Sequence, residues 1–191
     1  MTLASIITLA RIAMIPLFMW SMGWNHPAAA ALSFGLFAAA SLTDFVDGFI
    51  ARRYNQVTNF GKFVDPLADK LLVTAALLML LAQGKMAAWV VMIVLAREFC
   101  ITTLRTLAME RGRVIAASLS AKIKTLTQMG GILLLLTPAG EYAFASGLSA
   151  GDVVGWALAA VTLWSGVLYI VKNRDVLRRD ETPAPQKDAR P

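Results

Sequence analysis

Apolar residues run along this chain in long blocks, and polar residues collect in the gaps. The blocks are Ile6–Trp24, Ala28–Ile50, Phe63–Ala82, Met86–Met109, Leu119–Leu136 and Ala150–Val171. Each is near the ~20 residues that a helix needs to cross a ~30 Å hydrocarbon core. A helix satisfies its own backbone hydrogen bonds, which lipid cannot do. Asn25-His26-Pro27, Gln83-Gly84 and Thr137-Pro138-Ala139-Gly140 read as turns between blocks. The pattern therefore predicts an all-α integral membrane protein, a six-transmembrane-helix bundle. Residues 12–24 followed by Ala28-Ala29-Ala30 imitate a leader and its cleavage site. Arg11 lies inside that apolar stretch instead of ahead of it, so the segment reads as the first span.

Composition agrees. The 191 residues are 58% hydrophobic and 16% charged, with a mean hydropathy of +0.63. A soluble domain carries about a quarter charged residues. The formal charge of +6 is not a nucleic-acid footprint, because the charges fall between apolar blocks and form no soluble basic face. They do set orientation. Seventeen of the eighteen Lys and Arg residues lie near the N-terminus, around the second and fourth connections, or in the tail, and Lys85 alone falls on the other side. The positive-inside rule then puts both termini and those two connections in the cytoplasm, beneath the inner membrane. Residues 1–172 read as one transmembrane domain. Residues 173–191, with Pro183, Pro185 and Pro191, read as a basic cytoplasmic tail, disordered beyond one further helical turn. The lone cysteine, Cys100, excludes an internal disulfide and reads as a small buried hydrophobe. The lone histidine, His26, reads as a loop residue.

The chemistry concentrates between the second and third blocks. The stretch reads Asp44-x2-Asp47-Gly48-x2-Ala51-Arg52-x8-Gly61-x3-Asp65-x3-Asp69. On a helix, Asp44 and Asp47 share a face, and so do Asp65 and Asp69. The first pair closes one span and the second opens the next, so two antiparallel helices can bring them together. Four carboxylates at a membrane edge must protonate, separate or bind cations. Their hard oxygens suit Mg²⁺ or Mn²⁺. Two such ions ~3.5–4 Å apart clamp phosphoryl oxygens. Gly48 and Gly61 leave room for a ligand against the backbone, and Arg52 offers a guanidinium fork to phosphate. The same acids also suit a cation-transport path, and each aspartate alone reads as a solvated helix end.

The full pattern resembles the signature of the CDP-alcohol phosphotransferases, with its eight fixed positions in place. The resemblance implies a six-helix bundle, commonly dimeric, whose site opens to the cytoplasm. It implies transfer of a phosphatidyl or related group from a CDP-linked donor to an alcohol. By position, the resemblance implies that Asp44, Asp47 and Asp65 hold the divalent metal, that Asp69 is the general base and a ligand of a second ion, and that Gly48, Arg52 and Gly61 cradle the cytidine diphosphate portion, with Thr8 of Thr8-x2-Arg11 on the donor side.

The acceptor is read further along. Glu98, Thr102 and Arg105 follow i, i+4, i+7 spacing and share a face. Glu98 also reads as half of a structural pair with Arg97 or Arg105. Arg105, Arg111, Arg113, Lys122 and Lys124 converge on the cytoplasmic side, and Arg105 and Lys122 fall inside the helical pattern. Cations beside a metal site predict an anionic acceptor such as a polyol phosphate. The words Ala96-Arg97-Glu98-Phe99, Leu104-Arg105, Ala121-Lys122-Ile123-Lys124-Thr125 and Gln128-Met129 resemble the branch that makes phosphatidylglycerol phosphate. That branch implies CDP-diacylglycerol as donor and sn-glycerol 3-phosphate as acceptor, with Arg105, Arg113, Lys122 and Lys124 on the acceptor phosphate. Ser5 and Ala121 depart from the common pattern, where Asn and Gly are frequent. The first bears on a donor-side hydrogen bond, the second on the acceptor pocket. The rival readings are a phosphatidylinositol phosphate or cardiolipin synthase of the same family and, from another class, a divalent-cation transporter.

Overall fold

The computed structural model describes residues 3–53, 59–112, 115, 118–144 and 147–176, without the side chains of 3–6, 44–53, 59–63, 65 and 66. The described residues form an all-α bundle. Its helices are α1 (Leu3–Gly23), α2 (Ala29–Arg53), α3 (Asn59–Ala82), α4 (Ala88–Glu110), α5 (Leu119–Leu135) and α6 (Ala150–Lys172), with short 3-10 turns at Pro138–Glu141 and Arg174–Val176. These bounds follow the apolar blocks, with one informative difference. α2 continues past Ile50 to Arg53, and α3 begins at Asn59 instead of Phe63. Both aspartate pairs therefore lie well within helix, as their spacing requires. Of the expected tail, residues 177–191 lie outside the described residues.

The helices form two triplets. α1 packs along both α2 and α3, while α6 packs along both α4 and α5. The triplets join where α3 meets α4 and α5 and where α2 meets α5. Phe18, Phe37, Leu72, Leu77, Leu80, Val90, Val94, Ile132, Leu135 and Leu158 fill the shared core. Phe18 and Phe37 meet as tilted rings 5.7 Å apart across α1 and α2. α6 starts at a capping box: the Ser149 backbone N–H donates to Asp152 Oδ2 at 2.9 Å, and the Asp152 N–H donates back to Ser149 Oγ at 3.1 Å. The pair satisfies two donors that a helix start leaves open. Two residues past Ser149, α6 presses directly on the α3–α4 connection. A Cβ on Gly151 would sit 1.9 Å from the Lys85 carbonyl oxygen, so only glycine allows that approach.

α6 has the polarity of a soluble helix reversed. Besides Leu158 and Tyr169, its buried face is made of small residues: Ala150, Gly151, Gly155, Ala159, Thr162, Ser165 and Gly166. Its exposed face is Trp156, Leu163, Val167 and Val171. Water does not favour such a face, but lipid does, and small residues on the inner side let helices pack closely. Among the described residues α6 is the helix long and apolar enough to cross a membrane, and Ile7–Gly23 and Ala29–Thr43 are shorter apolar stretches. The same reversal corrects one expectation. Cys100 is exposed on α4, not buried, because an apolar residue in this bundle can face outward.

Candidate active site

The alternation of helix direction brings the C-terminal halves of α2, α4 and α6 to the same end as the N-terminal halves of α1, α3 and α5. The acidic stretch and the cations fall at that end. Arg113 and the side chains of Asp44, Asp47, Gly48, Arg52, Gly61 and Asp65 lie outside the described residues. The helices that carry the aspartates do not. Asp44 and Asp47 ride on α2, Asp65 and Asp69 on α3, and α2 touches α3 while both pack on α1. Among the described residues no three acids, histidines or cysteines gather around a metal, and three of the four aspartate side chains are not among them.

α1 contributes from the side. Thr8 and Arg11, three residues apart and on one face, are completely buried. Arg11 Nε donates to Thr43 Oγ1 at 3.4 Å, and the Thr43 hydroxyl donates to the Ala40 carbonyl at 2.7 Å. Thr43 precedes Asp44, so a fully buried guanidinium reaches the helical turn where the acidic stretch begins. A buried cation requires opposing charge or several acceptors nearby, which explains why α1 carries Arg11 inside an apolar run.

The rest of the site is a polar network through α3, α4 and α5. Asp69 is half-buried on α3. Its neighbour Lys70 donates through Nζ to Thr102 Oγ1 on α4, and that hydroxyl donates to the Glu98 carbonyl at 2.7 Å. One oxygen of Glu98, Oε1, accepts from Arg97 Nη1 at 3.1 Å and from Lys124 Nζ of α5. Lys124 is only 5% exposed, and its ammonium also feels the Asp69 carboxylate. Charge-assisted bonds of this kind are strong where water is sparse.

Arg97 holds capacity in reserve. Its side chain is 11% exposed, and its Nε and Nη2 are buried with no partner among the described residues. It lies flat on α6, where a Cβ on Gly166 would come within 3.2 Å of Arg97 Cγ. Gln128 Nε2, one turn beyond Lys124 on α5, and Thr162 Oγ1, one turn before Gly166 on α6, are also buried and unpartnered. Buried polar atoms left open cost free energy, about 1–3 kcal/mol each, so these atoms are places for an acceptor-rich ligand or water.

The sequence-predicted cations do not converge uniformly. Lys124 joins Glu98. Lys122 is exposed, because two residues of helix turn it about 200° away from Lys124. Arg105 turns toward α6, donating through Nε to the Tyr169 hydroxyl at 3.1 Å, with its guanidinium carbon 6.0 Å from that ring. Arg111 reaches the Val176 carbonyl. Glu98 pairs with Arg97 and Lys124 in the described bonds, and Arg105 takes Tyr169 instead. Sequence reasoning missed the central position of Arg97, the unpartnered Gln128 and Thr162, and the Tyr169 partner. The weak signal for the first three was polar residues inside apolar helices.

A model of the CDP-alcohol phosphatidyltransferase family matches residues 1–168, and the chain belongs to that family, whose reaction is phosphatidyl transfer. The chain is 42% identical over 184 residues to the CDP-diacylglycerol–glycerol-3-phosphate 3-phosphatidyltransferase of Bacillus subtilis (strain 168), covering 90% of this chain and 95% of that protein. It is 39% identical over 179 residues to the probable phosphatidylglycerophosphate synthase of Mycobacterium tuberculosis (strain ATCC 25618 / H37Rv), covering 91% and 83%. The CDP-diacylglycerol–glycerol-3-phosphate 3-phosphatidyltransferase of Escherichia coli (strain K12) is 37% identical over 182 residues, covering 89% and 93%.

Proposed function

We propose that this chain transfers the phosphatidyl group of CDP-diacylglycerol to sn-glycerol 3-phosphate, giving phosphatidylglycerol phosphate and CMP. The observation that carries the reading is the buried cationic cluster in which Lys124 and Arg97 meet on Glu98 and Arg97 keeps two open donors among the described residues. Such a pocket favours a phosphate-bearing acceptor, and relatives across three bacterial groups carry names for this reaction.

Asp44, Asp47, Asp65 and Asp69 are the residues to hold divalent cations, Mg²⁺ or Mn²⁺, as a pair of ions. Their all-oxygen, all-anionic donor set suits a hard cation. When bound, such ions neutralise charge on the donor's diphosphate. The remaining steps belong to the chain. Gly48, Gly61 and Arg52 line the path of the cytidine diphosphate, and Thr8 supports it from α1. Arg97 and Lys124 grip the acceptor phosphate, with Arg105, Arg113 and Lys122 supplying positive field around the entrance. The acceptor hydroxyl gives its proton to Asp69 as its oxygen bonds to the lipid-bearing phosphorus. The bond from that phosphorus to the CMP oxygen breaks in line, and CMP leaves with the electron pair.

The setting is a multi-pass inner-membrane bundle of six spans, residues 1–172, with both termini, the tail and the site on the cytoplasmic side. Segregation of the positive charges supports it. So do the tryptophans at the opposite end, where Trp20 stacks on Trp24 at 5.3 Å and Trp89 meets Trp156 at 4.9 Å, as interfacial aromatics do. A homodimer in the lipid bilayer is part of the proposal by family resemblance. The test is reconstitution in liposomes. CMP release that needs both CDP-diacylglycerol and glycerol 3-phosphate is the expected result. Divalent-ion flux without CMP release would overturn the reading in favour of transport.

A further inference from the structure

We propose that Glu98 is a positioning residue for the acceptor: by holding Arg97 and Lys124 on a single oxygen, it sets the two cations at the spacing that a phosphate monoester requires. The inference rests on the proposed acceptor and deepens that reading. Nothing in the chemistry of phosphatidyl transfer demands a carboxylate here. A negative charge inside an anion pocket repels the anion, so its presence needs a reason.

The geometry supplies one. Arg97 comes from α4 and lies against Gly166 of α6. Lys124 comes from α5. The two approach from different helices and meet on Glu98 Oε1, with the arginine nitrogen 3.1 Å away. Like charges brought this close repel, and each is buried enough to feel it. The shared carboxylate cancels one of the two charges and leaves the group with a net charge of about +1. Binding capacity is not exhausted. Arg97 Nε and Nη2 have no partner among the described residues, and an ammonium carries three protons. A phosphate monoester, near −2 at neutral pH, fits a pocket of that charge with open donors.

Without Glu98 the guanidinium of Arg97 and the ammonium of Lys124 share no anion, and their mutual repulsion turns them apart. Glu98 is thus the group that keeps Lys124 beside Arg97. Thr102 fixes Glu98's own turn of helix to α3, accepting from Lys70 and donating to the Glu98 carbonyl.

This account predicts a sign opposite to simple electrostatics. If Glu98 acts only as a nearby negative charge, Glu98→Gln lowers the KM for an anionic acceptor. If it positions the cations, Glu98→Gln raises it. The experiment uses the full chain with Mg²⁺ in mixed micelles, measuring KM and kcat separately for glycerol 3-phosphate and CDP-diacylglycerol. The expected result for Glu98→Gln is a rise of about tenfold or more in acceptor KM, with donor KM within about twofold. Glu98→Asp keeps the charge but withdraws it by one methylene. It gives an intermediate rise of roughly three- to tenfold, and it keeps the test open if the Gln variant fails to fold. A fall or no change in acceptor KM for either variant, or an equal rise for both substrates, overturns the proposal. Lys124→Met is measured alongside. If it raises acceptor KM while the Glu98 variants do not, the positioning role is wrong and the acceptor reading stands. If Lys124→Met leaves acceptor KM unchanged, the acceptor reading itself has failed.

Discussion

Replacing Lys124 by methionine removes a charge while keeping most of the side-chain volume, so it isolates what the ammonium contributes. Lys124 is 5% exposed, and its ammonium meets Glu98 Oε1 within reach of Asp69. A hydrogen bond to a charged group contributes roughly 1.5–3 kcal/mol. At about 1.4 kcal/mol per decade, kcat/KM for glycerol 3-phosphate should fall roughly 10- to 150-fold. The loss should appear in KM, because the phosphate is gripped in the ground state as well as in the transition state. Stability should fall less than for a wholly orphaned buried ion. Glu98 keeps Arg97 at 3.1 Å, so the cost is that of one bond, about 1–3 kcal/mol. For a chain of this length each kcal/mol lowers the midpoint by roughly 2–4 °C. The assay is CMP release in mixed micelles at varied acceptor and saturating donor, with a thermal melt of the same sample. An unchanged acceptor KM would refute the placement of the phosphate. So would a donor KM that rises by the same factor, since Lys124 would then act through the fold or the donor.

Two further perturbations separate chemistry from packing. Asp69→Asn should lower kcat by about 10²- to 10⁴-fold, the usual size of a lost general base; normal turnover would remove Asp69 from the proton transfer. Gly151→Ala should destabilise the fold by roughly 1–3 kcal/mol, because its Cβ would meet the Lys85 carbonyl oxygen at 1.9 Å. A melting temperature equal to the parent's would show that the α6 start yields more easily than its packing implies.

Much of this architecture is legible in the chain because helix length and apolar run coincide in a membrane protein. α1 to α6 match the six apolar blocks, and the aspartates fall on helices as their i+3 and i+4 spacings require. Two residues defied the reading for physical reasons. Cys100 is exposed because burial in a bundle of this polarity does not follow hydrophobicity. Lys122 and Lys124 were grouped by proximity along the chain, yet helical rotation separates them, and only Lys124 enters the pocket. That separation was available from the 100° turn per residue. The meeting of Arg97 and Lys124 on Glu98 was not. It depends on how α4 and α5 rotate against each other, and sequence spacing within one helix carries no information about that. The Arg105–Tyr169 contact between α4 and α6 was hidden for the same reason.

The acceptor identity is the centre of the account, and a single competition measures it. Purified full-length protein in CDP-diacylglycerol micelles would be offered glycerol 3-phosphate, inositol phosphate and phosphatidylglycerol together, with Mg²⁺ or Mn²⁺ present and then chelated. The lipid products would be identified by mass. The account predicts phosphatidylglycerol phosphate as the product, formed with stoichiometric CMP and only while the metal is present. Phosphatidylinositol phosphate or cardiolipin as the main product, or CMP release that survives chelation, would contradict it.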